Sequence, residues 1–296
     1  MVKTKVFCPS LDRLSDLANM ASRDKSQLAS ASDEFSRILQ NLRICGVWRW
    51  TGRHRLKCMD SLLAEYVVDR GLKQVRMLDF GASDGITSLD TVEYLERRNG
   101  VPVSVTMVER DIQLFRISKG GINLYHTSSQ RYVLARYGRL ALCLEPMEGI
   151  EGVLFNKLAS RLAGWFARTL KRDAAGFSMS ISLVNPAVSL CPSITTCERD
   201  LFQPESKWFE SYDVVRASNV LNYSYYSEQQ IWRAINIAYQ YLKEGGALLV
   251  SRNLISPSAE KETGAIWQKE GNVFRRISCL DVLPEIAGII DQFRLL

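Results

Sequence analysis

One short segment limits the possible folds of this chain more than any other. The sequence Met77-Leu78-Asp79-Phe80-Gly81-Ala82-Ser83-Asp84-Gly85 predicts a buried strand that ends in an acid, turns on two glycines and opens a helix at Thr87. Glycine lets backbone approach a ligand closely, and the start of a helix offers free N–H donors. Because ligands of open α/β sheets bind at the carboxyl ends of strands, the segment predicts a ligand site. A tight strand-to-helix connection without a ligand would show the same pattern.

Further strands and helices alternate along the chain. The predicted strands are Val75–Phe80, Val103–Val108, Ser193–Cys197, Tyr212–Ala217 and Ala247–Ser251. Helices are predicted at Thr87–Arg98 and Glu228–Leu242, and a late hairpin joins Ala265–Lys269 to Val273–Ser278. Parallel strands need helical crossovers, so this alternation predicts an α/β fold with parallel strands.

Two regions fall outside that alternation and set the predicted domain organisation. Residues 1–70 form an N-terminal helical segment or lid, and residues 71–296 form the main domain. Between strands two and three, about 112–190, the chain is far longer than a crossover helix requires. This insertion begins with a predicted hairpin at 114–125, and we interpret it as a substrate or docking element.

The composition excludes several classes of protein. With 24% charged and 46% hydrophobic residues, the chain has the balance of a globular protein, and no apolar run approaches the ~20 residues of a membrane span. The two histidines cannot form a multi-histidine metal site. The seven cysteines are odd in number and form no Cys-x-x-Cys pair, which indicates neither a disulfide framework nor a zinc ribbon. We therefore expect a cytoplasmic protein without a metal.

Three further features stand where a nucleotide-like ligand would need them. Strand two ends in Glu109, and an acid there can accept both hydroxyls of a ribose. Strand three is followed by Asp200 and Leu201, an acid and an apolar residue that could hold an adenine amine and ring. The third is the run 242–250 into strand five. Over residues 70–111 and 193–296 the succession resembles the class I S-adenosylmethionine-dependent methyltransferases.

The resemblance implies a fold, a cofactor and a set of contacts. It implies a doubly wound, mostly parallel sheet with an antiparallel last strand, and S-adenosylmethionine as the methyl donor. In that superfamily the first glycine turn holds the methionine part of the cofactor, and the acids after strands two and three bind ribose and adenine. The end of strand four lines the cofactor and faces the acceptor. The implied residues are, in that order, Asp79, Gly81, Ala82, Ser83 and Gly85; Glu109; Asp200 with Leu201; and Arg216, Ala217, Ser218 and Asn219.

Two departures from common patterns narrow these expectations. Many members have a glycine or another small residue where this chain has Ser83-Asp84, so the path of the turn is open. Base and glutamine methyltransferases carry Asn/Asp-Pro-Pro-Tyr after strand four, whereas the segment 218–223 contains no proline. We therefore expect the acceptor to be a hydroxyl or carboxyl of a small, saccharide- or lipid-linked molecule.

Four side chains are candidates for the catalytic machinery. An alcohol acceptor would gain from a general base, whereas a carboxylate would not. His54 and His126 are the histidine candidates, with surface or packing roles as the alternative. Tyr223 and Tyr226 follow strand four and could wall the acceptor pocket or simply pack the following loop.

Two elements outside the core could select the substrate. Trp48-Arg49-Trp50, followed by Arg53-His54-Arg55, combines side chains that suit sugars, phosphates or bases, or tryptophans that pack on helices. The segment Val153–Arg172 has an apolar stripe containing Trp165 and Phe166 beside basic residues. It predicts an amphipathic helix that binds a membrane surface or packs on its own domain.

Two alternative functions remain open. The basic run Arg43–Lys57 contains no acid, which favours RNA as a methyl acceptor, although such a run can also be a solvated face. A non-catalytic binding or effector protein could use the same fold, because fold alone does not decide function.

Overall fold

The computed structural model describes residues 11–44, 47–137, 140–144, 161, 178–255 and 260–295. The chain divides into two compact units. The first unit contains residues 1–50 and 111–186, and the second contains residues 51–110 and 187–296. The predicted division into an N-terminal segment 1–70 and a methyltransferase domain 71–296 with an insertion stays a prediction.

The described residues fold into helices and strands with the following bounds. The helices are α1 Leu11–Arg23, α2 Leu28–Leu39, α3 Lys57–Asp69, α4 Ile86–Asn99, α5 Pro186–Ser189, α6 Glu228–Tyr241 and α7 Ala287–Asp291. The strands are β1 Arg43–Ile44, β2 Val47–Trp48, β3 Val75–Phe80, β4 Val103–Glu109, β5 Gln113–Lys119, β6 Ile122–Thr127, β7 Tyr132–Tyr137, β8 Leu140–Cys143, β9 Ser178–Ser182, β10 Ile194–Glu198, β11 Tyr212–Ser218, β12 Leu242–Ile255, β13 Glu260–Glu270 and β14 Val273–Cys279.

A seven-stranded sheet forms the centre of the second unit. Its strand order is β10-β4-β3-β11-β12-β13-β14, and the pairings from β10 to β12 are parallel. The predicted α/β fold with a mostly parallel sheet is confirmed. The late hairpin is β13 and β14, and both of its pairings are antiparallel. Strand β13 therefore runs in the opposite direction to the other strands of this sheet. Strand β14, antiparallel to β13, runs in the same direction as the parallel strands.

Helices cover both faces of this sheet. Successive residues of β3 point to opposite faces, so Met77 packs with Leu63 of α3 and Val92 of α4, whereas Leu78 packs with Ile235 of α6. A strand that is buried on both sides must be apolar at nearly every position, which explains the continuous apolar runs in the sequence. The carboxyl ends of the parallel strands lie together at one edge, where the predicted ligand residues follow them.

Strand β12 begins earlier than the sequence predicts. The sequence predicts a helix to Leu242, closed by Lys243-Glu244-Gly245-Gly246, and a strand from Ala247, but the backbone of Leu242 is already extended and α6 ends at Tyr241. The pairing register with β11 shifts between Leu242 and Ala247, so the intervening residues form a bulge. Gly245 has a φ of +74° there, and its carbonyl accepts a hydrogen bond from the Tyr66 hydroxyl at 2.8 Å.

The first unit contains a separate five-stranded antiparallel sheet of order β8-β7-β6-β5-β9. Its hairpin of β5 and β6 confirms the predicted hairpin at the start of the insertion. Helices α1 and α2 pack on this sheet through Leu14 and Phe35, which contact a cluster containing Leu114 and Ile181. The N-terminal helices and the insertion therefore share one core.

The predicted amphipathic helix cannot be placed. Residues 153–172 lie outside the described residues except for Arg161. Within the described ranges, no helix is both long enough and apolar enough to cross a membrane.

Candidate functional site

The turn from β3 to α4 requires glycine at two positions. Gly81, Ser83 and Gly85 have φ values of +64°, +58° and +83°, which lie in the left-handed region. A Cβ at Gly81 would lie 2.7 Å from Val220 Cγ2, and one at Gly85 would lie 2.9 Å from Val188 Cγ1 and collide with a methionine sulfur. The backbone of the turn is thus closely packed, as the predicted cofactor cradle requires.

The residues Ser83-Asp84, where the chain departs from the common pattern, have distinct roles. Asp84 is fully buried, and its Oδ1 accepts hydrogen bonds from the Ile86 amide at 3.1 Å and from the Thr51 hydroxyl. Asp84 therefore accepts a hydrogen bond from one of the amides at the start of α4, which have no partner within the helix. The Ser83 amide donates to Glu109 Oε2 at 2.9 Å. The Ser83 hydroxyl is buried and finds no hydrogen-bond partner among the described residues, which is uncommon in a folded protein.

Glu109 ties the end of β4 to this turn. Its Oε2 accepts from the Ser83 amide, and its Oε1 accepts from the Arg110 amide at 3.0 Å. A carboxylate has about four acceptor positions on its two oxygens, the kind of group that ribose hydroxyls can donate to. The predicted ribose acid therefore lies beside the predicted methionine cradle.

Tyr226 lies near the predicted cofactor acids. Its ring packs edge-on against Phe202, with centroids 5.1 Å apart, while Asp200 Oδ1 accepts from the Phe202 amide at 2.9 Å. Burial raises the pKa of Tyr226 to about 12; Arg110 opposes this rise, and the neighbouring charges of Glu109 and Asp200 add to it. Leu201 packs partly buried in the same cluster. Tyr223, in contrast, is 48% exposed.

A buried ion pair holds the ends of β3 and β11 together. Asp79 and Arg216 are opposite each other in the parallel register. Arg216 Nε donates to Asp79 Oδ1 at 3.0 Å, its second nitrogen donates to Asp79 Oδ2, and both residues are at most 2% exposed. Ser88 also donates to Asp79 at 2.5 Å. These two residues, predicted to contact the cofactor, are therefore already engaged with each other, and direct contact stays a prediction.

Asp60 belongs to the same network, although the sequence did not single it out. Thr91 Oγ1 donates to Asp60 Oδ1 at 2.7 Å and accepts from Arg216 at 2.5 Å. Burial raises the pKa of Asp60 to about 7, even though Arg216 and the Thr91 hydrogen bond lower it. Asp60 lies on α3 between Met59 and Ser61, and only its partners on other elements, Thr91 and Arg216, show that it belongs to this network.

Asn219 closes the end of β11 and is paired with a residue that the sequence also did not indicate. Its φ is +60°. Its Oδ1 accepts from the Asn253 amide at 2.7 Å, and its Nδ2 donates to Asn253 Oδ1 at 2.9 Å. Neighbouring Ala217 is buried in the core, and the Ser218 hydroxyl bonds that of Ser251 at 2.7 Å.

The two histidines lie in different units. His126 belongs to β6 of the first unit, where its ring stacks on Phe115 with centroids 5.5 Å apart and its Nδ1 lies 2.8 Å from the Thr127 carbonyl. His54 belongs to the second unit, and its side chain is 61% exposed. Its Nδ1 lies 3.8 Å from Asp90 Oδ1. A catalytic role for either residue stays a prediction.

The comparisons with known proteins are low in similarity. No protein-family model matches the sequence, and no curated protein matches it. A Plasmodium falciparum structure with bound S-adenosyl-L-homocysteine, assigned as a protein-L-isoaspartate O-methyltransferase, is 13% identical with a TM-score of 0.34. The match covers 92% of this chain and 96% of that one.

Two further solved structures resemble the chain. One, from Methanococcus maripaludis and assigned as an S-adenosyl-L-methionine-dependent methyltransferase, is 12% identical, with coverage of 86% and 68% and a TM-score of 0.33. The other, from Galdieria sulphuraria and assigned as a sarcosine dimethylglycine methyltransferase, is 14% identical, with a TM-score of 0.31. That match covers 67% of this chain and 48% of the Galdieria protein, about half its length. All three are assigned as methyltransferases, but similarity this low carries no argument about function.

The crowded surroundings of Gly85 predict that its replacement by alanine lowers stability more than the same replacement at Gly71, which has open space around it. Gly85→Ala should lower the free energy of unfolding by about 1–3 kcal/mol more than Gly71→Ala, because only Gly85 has side chains where the new methyl would go. Both glycines have positive φ, so the backbone strain is common to both variants. Urea unfolding measures the difference, and equal losses would contradict the packing of the turn.

The position of Asp60 predicts an unusual pH dependence. Its folded pKa of about 7 lies above the ordinary 3.8, so the folded state binds more protons between those values and stability falls as pH rises from about 4 to about 7. Asp60→Asn should remove this decline, which amounts to up to roughly 4 kcal/mol in the free energy of unfolding. Urea unfolding of wild type and variant across this range measures it, with exposed Asp69→Asn as the control. Parallel profiles for wild type and Asp60→Asn would disprove the assignment.

Proposed function

We propose that this chain is an S-adenosylmethionine-dependent methyltransferase that acts on a hydroxyl or carboxyl of a small, saccharide- or lipid-linked acceptor. The observation that carries the proposal is the buried Ser83 hydroxyl without a described partner, set between two glycines of the turn and next to Glu109. A buried hydroxyl left without a partner is costly, and a polar ligand in the turn would satisfy it.

The arrangement fits the cofactor part by part. The turn Gly81–Gly85 would hold the methionine part, and Glu109 would accept hydrogen bonds from the ribose hydroxyls. Asp200, with Leu201 and the ring of Tyr226 nearby, would hold the adenine. When bound, the cofactor supplies a methyl group on a positively charged sulfur that is already activated for in-line displacement.

The chain's own task is then to hold the acceptor in line and to keep water away. Orientation alone can supply much of the rate acceleration of such a displacement. Tyr226, with its raised pKa, stays protonated at neutral pH, so it would donate a hydrogen bond rather than act as a base. A carboxylate acceptor needs no base, and for an alcohol the exposed His54 is the described candidate in the same unit.

The end of β11 favours a hydroxyl or carboxyl over a nucleobase. Asn253 engages one N–H and one acceptor position of the Asn219 side chain, so the protein itself holds this amide and only part of its hydrogen-bonding capacity is left for a base edge. The segment 218–223 also lacks the prolines that base methyltransferases carry there.

RNA as the acceptor is the first alternative, and the structure weakens its main support. In the basic run, Arg49 is buried and donates to the Asp111 carbonyl at 2.9 Å within the first unit. Arg53 contacts Asp90 at 2.7 Å and Glu93 at 3.1 Å within the second. At least two of the five cations of this run are therefore engaged by the protein itself. Membrane contact through 153–172, a cytoplasmic location and a non-catalytic role all stay predictions.

Calorimetry with S-adenosylhomocysteine tests the cofactor site. We expect micromolar binding to the wild type, and a loss of about 1.5–3 kcal/mol in Glu109→Gln because hydrogen bonds to an ionised acceptor are lost. Glu65→Gln, an exposed acid on α3, serves as the matched control and should bind as the wild type does. Unchanged affinity in Glu109→Gln would remove Glu109 from the site, and no binding to the wild type would overturn the proposed function.

The acceptor class is decided by transfer of labelled methyl groups. Pools of small metabolites, saccharide- and lipid-linked molecules and RNA are offered separately with labelled cofactor. Label in the first three pools supports the proposal, whereas salt-sensitive label in RNA supports the alternative. Tight binding of S-adenosylhomocysteine without transfer to any pool would indicate a non-catalytic protein.

A further inference from the structure

We propose that Thr51 and Asn253 are positioning residues that fix the segment Thr51–Arg55, here called the strap, across the end of β11 beside the methyl-transfer site. The role in catalysis rests on the proposed function. The anchoring of the strap does not, because it follows from contacts within the second unit alone.

The first anchor joins the strap to the turn after β3. The Thr51 side chain is almost fully buried, and its hydroxyl donates to Asp84 Oδ1. The same oxygen accepts from the Ile86 amide at the start of α4. One carboxylate therefore fixes both the beginning of the strap and the helix that follows the glycine turn.

The second anchor joins the strap to β12. Asn253 Nδ2 donates to the Arg55 carbonyl at 3.0 Å. Asn253 lies two positions beyond Ser251, which pairs with Ser218 at the end of β11. Its backbone amide donates to Asn219 Oδ1 and its Oδ1 accepts from Asn219 Nδ2, so a continuous chain of hydrogen bonds runs from Asn219 through Asn253 to the strap.

These two anchors define the path of the strap. In the sheet, β11 lies between β3 and β12. Neighbouring strands are about 4.8 Å apart, so β3 and β12 are separated by about 10 Å across the sheet, and five residues can span up to ~17 Å. The strap therefore bridges the turn after β3 and the end of β12, the two elements on either side of the end of β11 that carries Asn219.

His54, in the middle of the strap, has a strained backbone conformation. His54 has a φ of +60°, which an L residue adopts only where its surroundings hold it. Its amide donates to Asp90 Oδ2 at 2.5 Å, and Arg53 contacts Asp90 Oδ1 at 2.7 Å. Asp90 thus holds the strained backbone, while the imidazole stays largely exposed. This assigns His54 as the group that the strap presents beside the site.

Hydrogen exchange tests the anchoring without any ligand. In Thr51→Val and in Asn253→Asp, which each lose one donor, we expect the peptide covering 51–56 to exchange at least tenfold faster, equivalent to about 1.4 kcal/mol. Thr51→Ser keeps the hydroxyl and should restore the wild-type rate. The peptide of α6 serves as the control for general unfolding. Equal strap exchange in all four proteins would overturn the proposal.

Histidine NMR tests the position beside the site, because the chain contains only two histidines. On addition of S-adenosylhomocysteine we expect the ring signal of His54 to shift and that of His126 to stay. At saturating ligand the His54 shift should shrink in Thr51→Val and Asn253→Asp and return in Thr51→Ser. Binding detected by calorimetry without a His54 shift overturns the inference and leaves the proposed function intact. Absence of binding overturns the proposed function and, with it, the catalytic role, while the exchange rates still decide the anchoring.

Discussion

The buried ion pair of Asp79 and Arg216 is the contact on which the strand-end region of the second unit depends. It joins the carboxyl ends of β3 and β11 in the middle of the sheet, and Ser88 and Thr91 attach the first turns of α4 to it. Removing one partner would leave a buried charge without compensation, which costs about 3–5 kcal/mol. The glycine turn and the end of β11 keep their relative position because this pair is intact.

Around that pair, neighbouring strands supply complementary parts of the proposed ligand site. The turn after β3 brings a buried hydroxyl at Ser83, and β4 brings Glu109, which binds the backbone of the same turn. The segment after β11 brings Tyr226 close to the two acids. Each part is an ordinary feature by itself. The parallel order of the strands brings the parts together at the carboxyl edge of the sheet. The strap, which belongs to no strand of the sheet, is proposed to lie beside this site.

Local sequence predicted the elements that depend on local pattern. Val75–Phe80 was predicted to the residue, and Glu109 was placed at the end of its strand, because apolar runs and glycine turns are local signals. Asp60, Thr51 and Asn253 were not singled out for the site, because what defines them is a partner far along the chain. Asn253 and Arg55 are 198 positions apart, and no local pattern marks that pairing. The bulge at Gly245 was missed since a glycine pair after a helix ordinarily ends it in a loop.

A crystal structure of the protein with S-adenosylhomocysteine would locate the ligand relative to Ser83 and Glu109. We expect the ribose hydroxyls within hydrogen-bond distance of Glu109, at about 2.5–3.0 Å, and a polar atom of the ligand on the Ser83 hydroxyl. We also expect the Asp79–Arg216 pair to stay closed in the complex. Ligand bound elsewhere on the chain, or bound at the turn with Ser83 and Glu109 both untouched, would show that these residues do not form the cofactor site.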